Sequence, residues 1–179
     1  AHVLKAYRDE ELHAVVSVAT AAATARSQSH DDKVAPQLLR GSTADATEDW
    51  ITVGFPNLQQ RQGSYYFEVE LLAGCRSPQV GLLSSKFNVA PHNKSLALQG
   101  VGDDQYGWAV DGVHAARWHN GQPLAWNTLW HEDSGLKQRT VVGVAVNLDS
   151  RTMSFSTNGV WPSEGPAFDS DTIPEGVSV

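Results

Sequence analysis

Four groups of side chains in this sequence have the types and spacing that chemistry uses. Glu68 and Glu70 stand two apart in "YYFEVELL". On a strand that spacing sets two carboxylates on one face, about 7 Å apart at their Cα atoms, and a glycosidase acid/base pair is built from two such groups. Nothing beside them supplies a third acid or an aromatic floor, so they are expected as solvated or hydrogen-bonded face residues. Asp103, Asp104 and Asp111 carry the hard oxygens that a divalent cation takes, but no cation is assigned to them. His114, His119 and His131 raise zinc, but no Cys and no Glu-x-x-His helix accompanies them, and exposed loop histidines are the expectation. Cys75, in "AGCRSP", has no neighbours that would mark a nucleophile. No Gly-x-Ser-x-Gly elbow and no phosphate-cradling glycine loop is present. No catalytic residue, metal or cofactor is therefore assigned, and the chain is not expected to be an enzyme.

The bulk properties agree with a binding role. With 179 residues, 41% of them hydrophobic and 18% charged, the chain has the size and balance of one folded domain with an appendage. A single cysteine forbids an intramolecular disulfide and points to a reducing, intracellular setting, cytoplasmic or nuclear. A net charge of -7 has the wrong sign for neutralising phosphates, which argues against nucleic acid as a partner. No run approaches the roughly 20 apolar residues that span a bilayer, so no membrane insertion is expected.

Two stretches differ in grammar. Residues 1–49 are expected to form an N-terminal α-helix and a linker. The text from Leu4 to Arg26 lacks Gly and Pro, and Leu12, Val15, Val16 and Ala19 recur at helical spacing, a stripe that would lie on its own domain or dock a partner helix. Residues 50–179 change to short apolar runs punctuated by Gly, Asn, Asp and Pro, the pattern of an antiparallel all-β sandwich. In "GSYYFEVELL" Tyr65, Phe67, Val69 and Leu71 share one face, and Tyr66, Glu68 and Glu70 the other. "PQVGLL" and "YGWAVDG" give further strands. Val144, Val146 and Leu148 alternate inward before a turn at Asp149–Arg151, Met153 and Phe155 alternate inward after it, and Asn158-Gly159 favours a type I′ turn. Phe67, Val69, Trp108, Val144, Val146 and Phe155 are the expected core.

The succession "GSYYFEVELL", "QVGLLSSKF", "GDDQYGWAVDG", "RWHNG" and "VGVAVNLDSRTMSFSTNG" resembles the SPRY domain in motif content and order, from about Gly63 to Gly159 and more loosely to Phe168. Phe67 stands where that family commonly has Trp or Tyr, Gly107, Ala109 and Val110 replace its usual residues around Trp108, and Asn147 replaces an Asp. No counterpart of the PRY extension precedes the match. The resemblance implies a bent antiparallel two-sheet β-sandwich, a concanavalin-like jelly roll, whose last strand or two would follow "PEGVSV". Ending at Val179 would leave a sheet edge open to a partner.

The resemblance also implies a non-catalytic protein-interaction module, a binding or scaffold subunit of an intracellular hetero-complex, that presents loops at one end of the sandwich to a peptide or folded surface. The alternative is a lectin-like carbohydrate-binding sandwich. The expected partner-binding residues are Gln60 and Arg61 before the first strong strand, Leu96 and Leu98 in a long polar connection, and Trp126, Trp130 and Trp161 on loops, where large aromatics and Arg are the usual anchors of an interface.

Overall fold

The computed structural model describes residues 59–71, 76–87, 100–126, 130 and 140–179, together with the backbone of four strands at 2–7, 14–15, 37–40 and 51–54. Among the described residues eleven strands run in the order β1 (His2–Tyr7), β2 (Ala14–Val15), β3 (Gln37–Arg40), β4 (Ile51–Gly54), β5 (Ser64–Leu71), β6 (Arg76–Leu83), β7 (Gly107–Asp111), β8 (Ala116–His119), β9 (Gln122–Ala125), β10 (Thr140–Asn147) and β11 (Thr152–Thr157). They form a seven-stranded sheet, β3-β4-β1-β6-β7-β8-β9, and a four-stranded sheet, β11-β10-β5-β2. Every strand pair is antiparallel. The all-β, two-sheet expectation is met.

The core forms where the inward positions of both sheets meet. Phe67, Val69 and Leu71 from β5, Val142, Val144 and Val146 from β10, and Met153 and Phe155 from β11 pack with Val80, Leu82, Trp108 and Val110 from the larger sheet. All six residues expected in the core are buried. Alternation dictates this, because one face of each strand must leave water and the period of two fixes which one. The β10–β11 hairpin is in the expected register, Val144 opposite Phe155 and Val146 opposite Met153. Asn158 and Gly159 have φ of 49° and 79°, the positive pair that a type I′ turn requires.

The N-terminal helix is corrected. Of the stretch Leu4–Arg26, the described residues are extended: β1 lies between β4 and β6, with Leu4 opposite both Val53 and Val80, and Val15 in β2 pairs with Glu70. The physical reason is that neighbouring strands take up the backbone N–H and C=O groups of β1 on both sides, and tertiary pairing outweighs the weak helix preference of Ala-rich text. Leu12, Val16 and Ala19 lie outside the described residues. Strands from both sides of position 49 share the seven-stranded sheet.

Turns lock the ends of these strands. Asp111 is buried, accepting from the amides of Val113 and His114 at 2.9 and 3.2 Å. At the other end of β7, Asp103 accepts from the Gly100 amide at 2.5 Å and Asp104 from the Tyr106 amide at 2.8 Å. Among the described residues no group of three or more His, Cys, Asp or Glu is placed to hold a metal, and no helix is long and apolar enough to cross a membrane.

Candidate functional site

A wide cleft on the described surface lies where three segments remote in sequence converge. Residues 59–61 enter β5, residues 84–86 leave β6, and the C-terminal stretch runs between them. The Gln60 amide donates to the Val179 carbonyl at 2.6 Å and the Val179 amide to the Gln60 carbonyl at 3.0 Å, while the Ser85 amide donates to the Ser178 carbonyl at 2.7 Å. Val179 is buried. The segment is thus held on both flanks by backbone bonds, which fixes Pro174–Val177 as one wall. The base of the 59–61 loop is pinned independently, because the Gly63 amide donates to Asp149 Oδ1 at 2.9 Å and the Leu148 amide to the Gly63 carbonyl at 2.9 Å.

Between these segments is a cleft of about 510 Å3 bounded by Arg61, Ser84–Lys86, Gln105, Tyr106, Trp108 and Pro174–Ser178, within the usual size range of a ligand site. Trp108 forms its rigid floor. Its indole is 1% exposed, donates from Nε1 to the Thr172 carbonyl at 3.1 Å and stacks on His119 with ring centroids 5.1 Å apart and planes within 9°. Arg61 and Lys86 are exposed and make no ion pair among the described residues, against a single acid, Glu175, on the lining. A chain of charge -7 therefore carries a locally cationic cleft with hydroxyl and amide groups around it. That composition suits an extended, acceptor-rich segment of polypeptide.

A family model for the SPRY domain matches residues 64–177 of this sequence. The chain belongs to the SPRY family. No curated protein matches it. SPRY domains are protein-interaction modules, and the two-sheet architecture and the loop-built cleft of this chain have the form such a module needs.

Within this SPRY domain the expected site residues separate. Arg61 lines the cleft and Gln60 holds its C-terminal wall through backbone bonds, and Leu96 and Leu98 lie outside the described residues. Trp126 and Trp130 are 7% and 5% exposed and belong to the core. The Trp126 amide donates to the Ala115 carbonyl and the Trp130 amide to that of Gly112, beside the β7–β8 turn and so at the opposite end of β7 from the cleft. Gly112 makes room for the second ring, since a Cβ there would sit 2.2 Å from the Trp130 indole. Lys86, Tyr106 and the 174–178 wall carried no local signal, being ordinary residues that only the converging chain brings together.

Trp161 is 45% exposed and lies elsewhere, against Tyr66 on the outer face of the four-stranded sheet, with centroids 6.0 Å apart. The Tyr66 hydroxyl donates to Glu68 Oε1 at 2.6 Å, so Glu68 is engaged with a neighbour on its own face. Glu70 is buried. Burial first, then the hydrogen bond to and charge of Glu68, push the Tyr66 phenol up to about 12, opposed by the nearby Ser156 hydroxyl. A raised folded-state value favours the protonated form, so this contribution to stability is whole below the ordinary value of 10.0 and is lost as pH rises towards 12. Absorbance titration at 295 nm should show a phenolate step near pH 12 that Tyr66→Phe removes. A Tyr66 step at the ordinary value would contradict the pairing.

His114 Nδ1 lies 2.7 Å from Asp111 Oδ2, and His119 Nδ1 lies 2.8 Å from the Gly107 carbonyl. Each histidine is engaged locally, at a different end of the β7–β8 pair. His131 and Cys75 lie outside the described residues.

Proposed function

We propose that this SPRY domain is a non-catalytic binding or scaffold subunit of an intracellular protein complex, in the cytoplasm or nucleus, and that it holds an extended segment of a partner protein in the Arg61–Lys86–Val177 cleft. The observation that carries the reading is the pairing of a fixed wall with free cations: three backbone hydrogen bonds hold the 178–179 segment to residues 60 and 85, while Arg61 and Lys86 have no anionic partner among the described residues. Leu96 and Leu98 belong to the same proposed surface. They occur in the sequence between Lys86 and Gln105, which both line the cleft. The partner is protein and not nucleic acid, because one cationic cleft does not offset the overall negative charge.

Peptides selected from a random display library on the intact chain provide the test. Arg61→Glu with Lys86→Glu should weaken the selected peptides by about 1–3 kcal/mol, and Leu98→Ala should weaken them in the same direction. Both changes should leave the melting temperature nearly unaltered, as the two cations are exposed. Unchanged affinity in the charge-reversed protein would refute the assignment. A carbohydrate-binding reading draws on Trp161, whose ring is exposed beside Tyr66 and Glu68. A glycan array, read on the unaltered chain and on Trp161→Ala, distinguishes it.

A further inference from the structure

Tyr66, Glu68 and Trp161 form an aromatic platform with a carboxylate at its edge, on the outer face of the four-stranded sheet. Tyr66 stands opposite Ala145 and Glu68 opposite Gly143 in the β5–β10 register, so both leave the sheet on the side away from the core. The Tyr66 side chain leans across β10 because Gly143 leaves room for it: a Cβ there would fall 2.5 Å from its hydroxyl oxygen and 3.1 Å from its Cε2. Trp161 meets it from beyond β11. There the Thr157 and Val160 backbones bond each other in both directions, at 3.0 and 2.9 Å, and bring the next residue alongside that strand. The two rings stand 6.0 Å apart at 50°. Neither is sequestered, since Trp161 is 45% exposed and Val160 beside it 71%, and Tyr66 is half-buried.

What the platform lacks is a cation. The Tyr66 hydroxyl occupies Oε1 of Glu68, which is only partly buried, and a carboxylate has capacity for several more donors. Among the described residues no Lys, Arg or His reaches ion-pair distance of Glu68. The outward positions of β5, β10 and β11, from Ser64 to Glu70, Val141 to Asn147 and Thr152 to Ser156, hold neither Lys nor Arg. Beside Tyr66 the same face opens into a shallow hollow of about 330 Å3 lined by Ser64, Ala145, Asn147, Thr152 and Ser154, whose hydroxyl and amide groups suit a polypeptide backbone. We infer that this face is a second binding site, for an arginine side chain of a partner polypeptide. A guanidinium is planar, stacks on Tyr and Trp faces and donates a fork of N–H groups to a carboxylate. An ammonium offers no plane to stack, and a sugar no charge for Glu68. The site differs in place and in sign from the cationic cleft at Arg61 and Lys86, so either can fail without the other.

Heteronuclear NMR of the labelled full chain reads the site through its six indole N–H signals, that of Trp161 being the one absent in Trp161→Phe. N-acetyl-Ala-Arg-Ala-amide should shift the Trp161 signal. It should bind about fivefold or more tightly than its citrulline analogue, which keeps the planar shape but not the charge, and more tightly than its lysine analogue. Glu68→Gln and Trp161→Ala should each lower the affinity about threefold or more, the second followed on the backbone amides of β11. Asp171→Asn, the same loss of charge at an exposed acid of the turn that receives the Trp108 indole, should leave it unchanged. Equal binding of arginine and citrulline or of arginine and lysine, no shift at Trp161, full affinity in Glu68→Gln or Trp161→Ala, or a loss in Asp171→Asn would each overturn the site. A glycan-array signal abolished by Trp161→Ala, with no response to the arginine peptide, would assign the platform to sugar instead. The arginine-against-citrulline comparison needs no variant and stands if a substituted chain fails to fold.

Discussion

Gly81→Ala should destabilise the domain by at least about 3 kcal/mol. Gly81 pairs with Ala109 across β6 and β7, and a Cβ at this position would fall 1.8 Å from the Trp108 carbonyl oxygen and 2.7 Å from the Ala109 Cα. These are backbone atoms, which cannot swing aside as the end of a flexible side chain can. Relief requires β7 to move away from β6, and β7 carries Trp108 and Val110, two of the residues that join the sheets. Urea titration should show a midpoint far below that of the unaltered chain, or no cooperative transition. A midpoint within error of the unaltered one would contradict the close approach of β6 and β7.

Phe155→Ala should cost roughly 3–5 kcal/mol. Phe155 is 2% exposed, lies opposite Val144 in the β10–β11 register and meets Phe168 edge to face, with centroids 6.3 Å apart and planes at 76°. Truncation removes a ring from the middle of the core, and the hairpin cannot collapse into the space, because its register is fixed by hydrogen bonds on both sides of β10. Against a typical domain stability of about 5–15 kcal/mol the loss is large. Chemical denaturation should show a lowered midpoint at an unchanged slope. A cost under about 1 kcal/mol would mean that the inward face of β11 has been misassigned.

The β10–β11 hairpin is legible from the chain because alternation, the Asn158-Gly159 turn and the β-branched run Val141–Val146 all favour one structure. In the N-terminal region those levels disagree. Leu12, Val15, Val16 and Ala19 fit a helical stripe, and only the strands at Ile51–Gly54 and Arg76–Leu83, far along the sequence, draw His2–Tyr7 into a sheet. Trp126 and Trp130 sit in polar text and look exposed by composition. Their burial depends on room left by Gly112 and on the 167–168 segment packing nearby, neither of which is a local property. The cleft shows the same limit. Arg61 is noticeable alone, as a forked cation before a strong strand, but Lys86, Tyr106 and Val177 acquire meaning only when backbone bonds from Gln60 and Ser85 to the C-terminal segment set them around one space.

The claim that matters most is that a partner polypeptide occupies this cleft. Hydrogen–deuterium exchange of the intact chain, with and without a display-selected peptide at saturation, reads it directly. The expected result is protection concentrated at residues 59–61, 84–87, 100–106 and 172–179, with little change in the β8–β9 hairpin. Protection confined to the β7–β8 turn, β9 and the 164–168 segment, with the cleft segments exchanging as in the free protein, would contradict the account.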